Sequence, residues 1–187
     1  MKVVLGQKEI VVVWKKRSCA IFVLNETPQQ EWERKLNGWH VIDGYMYCVV
    51  SLVVNVASEC GYTASHYIDL QNLQTTLGRT DKFTVLAFPC NQFGSQEPGT
   101  NFQVKQFARE LYGATFPLFA KINVLDDNVP QAWQYLIKAT GQLPNWNFWK
   151  YLVDIDGKAL DAWGPWVTVE DIQDDIRKAI KKHDDEL

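Results

Sequence analysis

No apolar run in this chain reaches the ~20 residues that a membrane span needs. The runs Ile10 to Trp14 and Ala20 to Leu24 are short and are separated by Lys15, Lys16 and Arg17. A secretory signal puts positive charge first, then about 7 to 15 apolar residues, then a small-residue cleavage site, and only fragments of that pattern are present. Cysteine is scarce. Cys19, Cys48, Cys60 and Cys90 are too few to staple a chain that can already bury a core, and none forms a Cys-x-x-Cys pair, which disfavours a disulfide scaffold and a zinc ribbon. There is no Lys/Arg stripe either: 19 basic side chains face 22 acidic ones for a net charge of -3, so nucleic acid is not an expected partner. His40 and His66 stand near aromatic residues without metal-ligand spacing, and no metal site is expected. Internal repeats and low-complexity segments are absent.

What is present suits one globular domain: 47% of residues are hydrophobic, 22% are charged, and of eight Trp residues five (Trp133, Trp146, Trp149, Trp163 and Trp166) fall in the last third. Residues 1–48 are set apart as a divergent segment, a signal or anchor or a disordered stretch, in which Cys19 and Cys48 receive no role. Asn25-Glu26-Thr27 satisfies a glycosylation triplet, but Pro28 follows it and such triplets arise by chance. From Val49 the punctuation is clean. Val49 to Val56 is a β-branched run that suits a parallel strand buried on both faces. Thr63 is the expected cap of a helix carrying Tyr67, Leu70, Leu73 and Leu77 inward and ended by Gly78. Phe83 to Phe88 is the next strand, stopped by Pro89. Asn101 is the expected cap of a second helix with Val104, Phe107, Ala108 and Leu111 on its inner stripe. Pro130 opens a third, with Trp133, Leu136 and Ile137, and Gly141 lies beyond its end. Lys150 to Ile155 and Lys158 to Trp163 form a hairpin through Asp156-Gly157. A last helix is expected from Thr168, burying Ile172, Ile176, Ala179 and Ile180. The pattern predicts an α/β domain over 49–182: a thioredoxin-like three-layer fold with a mixed central sheet flanked by helices.

Open α/β sheets carry their chemistry at the carboxyl ends of parallel strands, and the first buried strand delivers Cys60 there, just ahead of a helix N-terminus. The positive end of that helix favours thiolate over thiol, so Cys60 is the candidate nucleophile. The alternative is a small buried hydrophobe. Thr63 occupies the place where a dithiol site would carry its second cysteine, which points to a one-cysteine redox catalyst. Cys90 follows the second strand on the same expected edge. A disulfide to Cys60 would need Cα atoms within about 7 Å, and its redox and structural readings stay open.

Four stretches, Asn55-Val56-Ala57-Ser58-Glu59-Cys60-Gly61-Tyr62-Thr63, Ala87-Phe88-Pro89-Cys90-Asn91-Gln92-Phe93-Gly94, Gln96-Glu97-Pro98-Gly99 and Trp146-Asn147-Phe148, resemble the glutathione peroxidases in content and order, over a span from about Val50 to the C-terminus. The resemblance implies a cysteine-type member whose peroxidatic residue is Cys60 and whose catalytic tetrad adds Gln96, Trp146 and Asn147. Two amides and an indole N–H are neutral donors able to orient a thiolate and a peroxide. Without the resemblance, Gln96 reads as a turn residue and Trp146 as a core aromatic.

The implied reaction is thiolate attack on the peroxide O–O bond, leaving a sulfenic acid that a thiol then reduces. Thioredoxin-dependent relatives carry a resolving cysteine in the helix after the Gln-Glu-Pro loop, and Asn101 to Tyr112 contains none. Cys90, as a possible resolving cysteine, glutathione or a protein dithiol remains as the reductant, and no cofactor is expected. Asp184-Asp185-Glu186-Leu187, residues of a 183–187 tail, resembles a retrieval address of the endoplasmic-reticulum lumen, although the entry signal is unclear. With Cys60, Cys90 and the short Leu143-Pro144-Asn145 approach to Trp146, this looks most like the endoplasmic-reticulum members, which use peroxide to oxidise protein disulfide isomerases. Those members lack the loop through which tetrameric relatives assemble, so a monomer is expected. A competing reading is a redox sensor or adaptor oxidised once, without turnover.

Overall fold

A computed structural model describes residues 2–5, 8–15, 18–25, 49–80 and 82–185. Strands β1 (Lys2–Leu5), β2 (Lys8–Lys15) and β3 (Ser18–Asn25) pair antiparallel as a sheet of their own, in which the apolar runs on either side of Lys15 become neighbouring strands, with Val12 opposite Ile21. The stretch containing His40 and Cys48, and the final Glu186-Leu187 of the tail, lie outside the described residues.

The second sheet has the order β5 (Phe83–Pro89), β4 (Val50–Val56), β6 (Lys150–Val153), β7 (Ala159–Trp163). β4 and β5 are parallel, and the pairs β4/β6 and β6/β7 are antiparallel, so the sheet is mixed as expected. All seven residues of β4 are buried, which is why its sequence is mostly apolar on both faces rather than an alternation, with Ser51 and Asn55 as its buried polar residues. Successive side chains still point to opposite faces. Val50, Leu52, Val54 and Val56 pack with Tyr67, Leu70, Leu73 and Leu77 of α1 (Thr63–Leu77), Val104 and Ala108 of α2 (Asn101–Tyr112) and Ile176 of α4 (Gln173–Asp185). Val53 joins Leu86, Phe88, Tyr151 and Val153 on the other face, under Trp133 and Leu136 of α3 (Gln131–Thr140). Helices therefore cover both sides of the sheet, giving the three-layer α/β fold.

Several ends differ from the sequence expectations. Thr63 does not cap α1; its hydroxyl accepts from Cys60 N and donates to Ala57 O, bracing the loop before the helix. The cap of α2 is Thr100 rather than Asn101, because Thr100 and Gln103 complete a reciprocal capping box while Asn101 Oδ1 accepts from Lys121 N. Leu111 is exposed, since only Val104 and Ala108 of that stripe are fully covered and Phe107 partly so. The Thr168 box forms with Asp171, but residues 169–172 make a turn and the α-helix begins at Gln173. The hairpin strands stop short of Ile155 and Lys158 because Asp154 Oδ1 accepts from Asp156 N and Lys158 N, closing a turn over Gly157.

Candidate active site

The candidate site is built on one edge, where β4 and β5 end side by side with Cys90 N donating to Val56 O at 3.1 Å. Beyond β4, Ala57 to Tyr62 crosses to α1 in six residues and carries Cys60, a buried free thiol that is 8% exposed. The loop is fixed by its own backbone: Thr63 N donates to Cys60 O, Cys60 N donates to Thr63 Oγ1, and Glu59 N donates to Gln96 O at 3.0 Å. That last bond joins the cysteine loop to the Gln96 loop.

The turn of Trp146 to Trp149 is brought to the same edge by Asn55, a fully buried residue of β4. Its Nδ2 donates to Trp146 O at 3.0 Å and its Oδ1 accepts from Trp149 N at 2.8 Å, while its own carbonyl accepts from Phe148 N at 2.7 Å. An Asn can offer a donor and an acceptor at once, which a strand residue needs in order to replace a missing neighbour strand. Phe148 sits in the left-handed region at φ 64°, a conformation that turns Asn147 inward and costs a non-glycine residue on the order of 1 kcal/mol.

Asn147 is fully buried, and its Nδ2 donates to Gln96 Oε1 at 2.9 Å. With that oxygen taken, the Gln96 amide nitrogen remains to donate elsewhere. Asn147 Oδ1 is buried without a hydrogen-bond partner. Trp146 is 37% exposed and approaches Gly94, where an added Cβ would stand 3.4 Å from the indole and 3.5 Å from Gln96. Gly94 also has φ of 63°, so glycine there serves both the bend and the close approach. Gln96 and Asn147 are thus in direct contact, Trp146 packs over the same loop, and Cys60 joins them through the Glu59–Gln96 bond.

Cys90 is placed differently. Its side chain is fully buried among Phe88, Phe93, Phe119 and Trp133, on the sheet face opposite the Val54–Tyr67 cluster that receives Cys60. Its Sγ donates to Gln92 Oε1 at 3.7 Å, and burial pushes its thiol up. Both cysteines are free. Among the described residues no group of His, Cys, Asp and Glu is arranged to hold a metal ion.

Sequence reasoning assigned no role to four further polar groups around this edge. Asn55 was inside a motif, but its clamp depends on where the distant turn arrives. Glu97 is fully buried, accepts from Ser58 Oγ, leaves Oε2 unpartnered, and is pushed up to about 7 chiefly by burial. Lys121 Nζ, which opposes that rise, donates to the Glu97 and Gly99 carbonyls. His66 is buried in the first turn of α1, six residues beyond Cys60.

Residues 33–137 match the family model described as Glutathione peroxidase. Over 133 residues the chain is 53% identical to glutathione peroxidase 7 of Bos taurus, covering 71% of each chain. It is 46% identical over 132 residues to probable glutathione peroxidase 8-B of Xenopus laevis, covering 71% of this chain and 63% of that one. In fold it is similar to the crystal structure of Trgpx in apo form, at TM-score 0.58 and 35% identity over 72% of this chain and 83% of that chain.

Proposed function

The chain belongs to the glutathione peroxidase family and is a thiol-dependent peroxidase, and from that premise we propose that Cys60 is its peroxidatic residue, with Gln96, Trp146 and Asn147 as donors around it. The Cys60 thiolate attacks one oxygen of the peroxide, the O–O bond breaks, and the other oxygen leaves as water or an alcohol after taking up a proton, so that sulfur is oxidised to sulfenic acid as peroxide is reduced. A first thiol then condenses with the sulfenic acid to a mixed disulfide and water, and a second thiol releases Cys60 and a disulfide product. Neutral donors suit this chemistry because negative charge builds on the departing oxygen and none of them has to titrate.

The observation that carries the reading is the joining of three sequence-distant motifs at one strand edge by the Glu59–Gln96 and Gln96–Asn147 hydrogen bonds. The reductant in this reading is external. Cys90 packs on the opposite face of the sheet, fully buried, which favours direct attack of glutathione or of a protein dithiol, such as that of a disulfide isomerase, on oxidised Cys60. The Asp184 to Leu187 sequence supports a place for this reaction in the endoplasmic-reticulum lumen, where such dithiols are substrates.

Intact-mass analysis and peptide mapping after one equivalent of hydrogen peroxide test the scheme. Sulfenic acid on Cys60, absent from Cys60→Ser and unaffected in Cys90→Ser, is expected. A Cys60–Cys90 disulfide in the wild type would replace the external reductant by an internal resolving step, and oxidation spread evenly over both thiols would remove Cys60 from its role.

A further inference from the structure

One lysine of this protein has been taken wholly out of water. Lys150 opens β6 with no exposed surface, and its Nζ donates to three acceptors from three parts of the chain: Phe148 O at 2.9 Å, Gly164 O at 2.9 Å and His66 Nε2 at 3.3 Å. The protons can be assigned from the partners. His66 Nδ1 lies 3.1 Å from Tyr62 O, and a carbonyl only accepts, so Nδ1 carries the imidazole proton and Nε2 offers a lone pair. An ammonium has three N–H donors, and here each meets one acceptor. The set contains two carbonyls and an imidazole, and no carboxylate.

Burying an ammonium without an opposite charge is unfavourable, and an apolar side chain would fill the space at lower cost. Consistent with this, burial pushes Lys150 down to about 7, and burial followed by the Lys150 charge pushes His66 down to about 4. The compensation is geometric. Phe148, whose carbonyl Lys150 holds, is the left-handed residue next to Asn147. The His66 ring packs against the Phe148 ring at 4.8 Å, and Tyr62, whose carbonyl His66 holds, lies two residues beyond Cys60. A continuous path of hydrogen bonds and ring contact therefore runs from the Cys60 loop through His66 and Lys150 to the Asn147 turn.

We propose that Lys150, held by His66, is a positioning residue for the peroxide reaction, locking the turn of Trp146 and Asn147 against the start of α1 that follows the Cys60 loop. The proposal rests on the reading of Cys60 as the peroxidatic residue. Protonating His66 would break the lock, because Nε2 would lose its lone pair and two cations would face each other at 3.3 Å. The groups facing His66 are Lys150 from β6, Phe148 from the turn, and Tyr62 and Ser65 from its own helix start.

The test compares two rate constants of Cys60 in the full chain, one with hydrogen peroxide and one with iodoacetamide. Alkylation needs only an accessible thiolate, whereas O–O cleavage also needs the donors in place, so the peroxide/iodoacetamide ratio reads positioning and thiolate abundance cancels. Lys150→Met is expected to lower that ratio by at least about tenfold while alkylation changes less than about twofold. In the wild type the ratio is expected to fall as pH drops from about 6 to about 4, a window in which Glu97, at about 7, is already protonated. His66→Gln keeps an acceptor for Lys150 without titrating, and is expected to abolish that fall. An unchanged ratio in folded Lys150→Met overturns the proposal, as does an equal acid-side fall in His66→Gln should Lys150→Met not fold. If wild-type Cys60 reacts with peroxide no faster than a free thiol, the peroxidatic reading fails on its own. The lock is then judged by the Asn147 side-chain amide resonance, which must shift as His66 titrates if the path exists and stays still if it does not.

Discussion

Two neighbouring strands end together and their cysteines turn to opposite faces of the sheet. After β4 the backbone reaches α1 within six residues, and Cys60 joins the cluster of Val54, Val56 and Tyr67 while keeping a little exposed surface. After β5 it enters a long loop, and Cys90 turns to the other face, fully covered by Phe88, Phe93, Phe119 and Trp133. Each end also has an amide side chain gripping an incoming segment: Asn55 holds Trp146 to Trp149, and Gln92 Oε1 accepts from Val124 N and Leu125 N while its Nε2 donates to Leu125 O. The same device thus builds a site on one face and closes a core on the other. What separates the two cysteines is the face each side chain turns to: Cys60 joins the Val54–Tyr67 cluster, and Cys90 joins the aromatic rings of the other.

The comparison breaks most visibly at the thiols themselves. Cys60→Ser is expected to lower peroxide turnover by at least about a thousandfold, while Cys90→Ser stays within about threefold in the same coupled assay; equal losses would erase the distinction. The two amide clamps come next. Asn55→Ala removes two buried hydrogen bonds and should cost about 2–4 kcal/mol by denaturant unfolding together with a fall in turnover, whereas Gln92→Ala should cost similar stability at nearly unchanged turnover per folded molecule.

Protonation sharpens the contrast further, because His66 and Glu97 both stand on the α1 side with opposite slopes. His66 is depressed from 6.5 to about 4, so between those values the unfolded chain binds its proton first and stability falls as pH drops, by up to about 3 kcal/mol. Glu97 is raised from 4.5 to about 7, so the folded chain holds the extra proton and stability falls as pH rises through that interval, by a similar or smaller amount. In the wild type the two cancel over much of the range. Thermal melts from pH 4 to 8 should show a nearly flat wild type, a His66→Gln stability that falls as pH rises from about 4.5 to about 7, and a Glu97→Gln stability that falls as pH drops from about 6.5 to about 4; matching curves in all three proteins would refute both assignments. The smallest effect is expected from Cys90→Ala, about 1 kcal/mol from a small cavity with no change in these slopes, read from the same melts.

Much of this is legible in the amino-acid sequence. The largely apolar β4, the helical stripe of Tyr67, Leu70, Leu73 and Leu77, the glycine end at Gly141 and the turn at Gly157 follow from side-chain period and backbone sterics, which are local properties. Cys60 ahead of a helix was legible for the same reason. Capping was less so: Thr100 and Asn101 are both acceptable caps, and the choice fell to Thr100 because Asn101 was taken by Lys121 N, twenty residues away. Leu111 fits the inner stripe by spacing yet is 65% exposed, while its neighbour Tyr112 takes the inward place against Tyr67.

By itself, then, the order of residues determined the elements, the mixed α/β character and the motifs that mark a peroxidase, because periodicity, turn chemistry and a cysteine at a strand end are written over a few consecutive positions. The tertiary structure alone decided that Gln96 meets Asn147, that Asn55 grips a turn 91 residues away, that Cys90 faces away from Cys60, and that Lys150 is buried on His66. Those relations depend on which segments cross the end of a sheet and from which side. Hydrogen bonds and burial act over a few ångströms of space, whatever the distance along the chain.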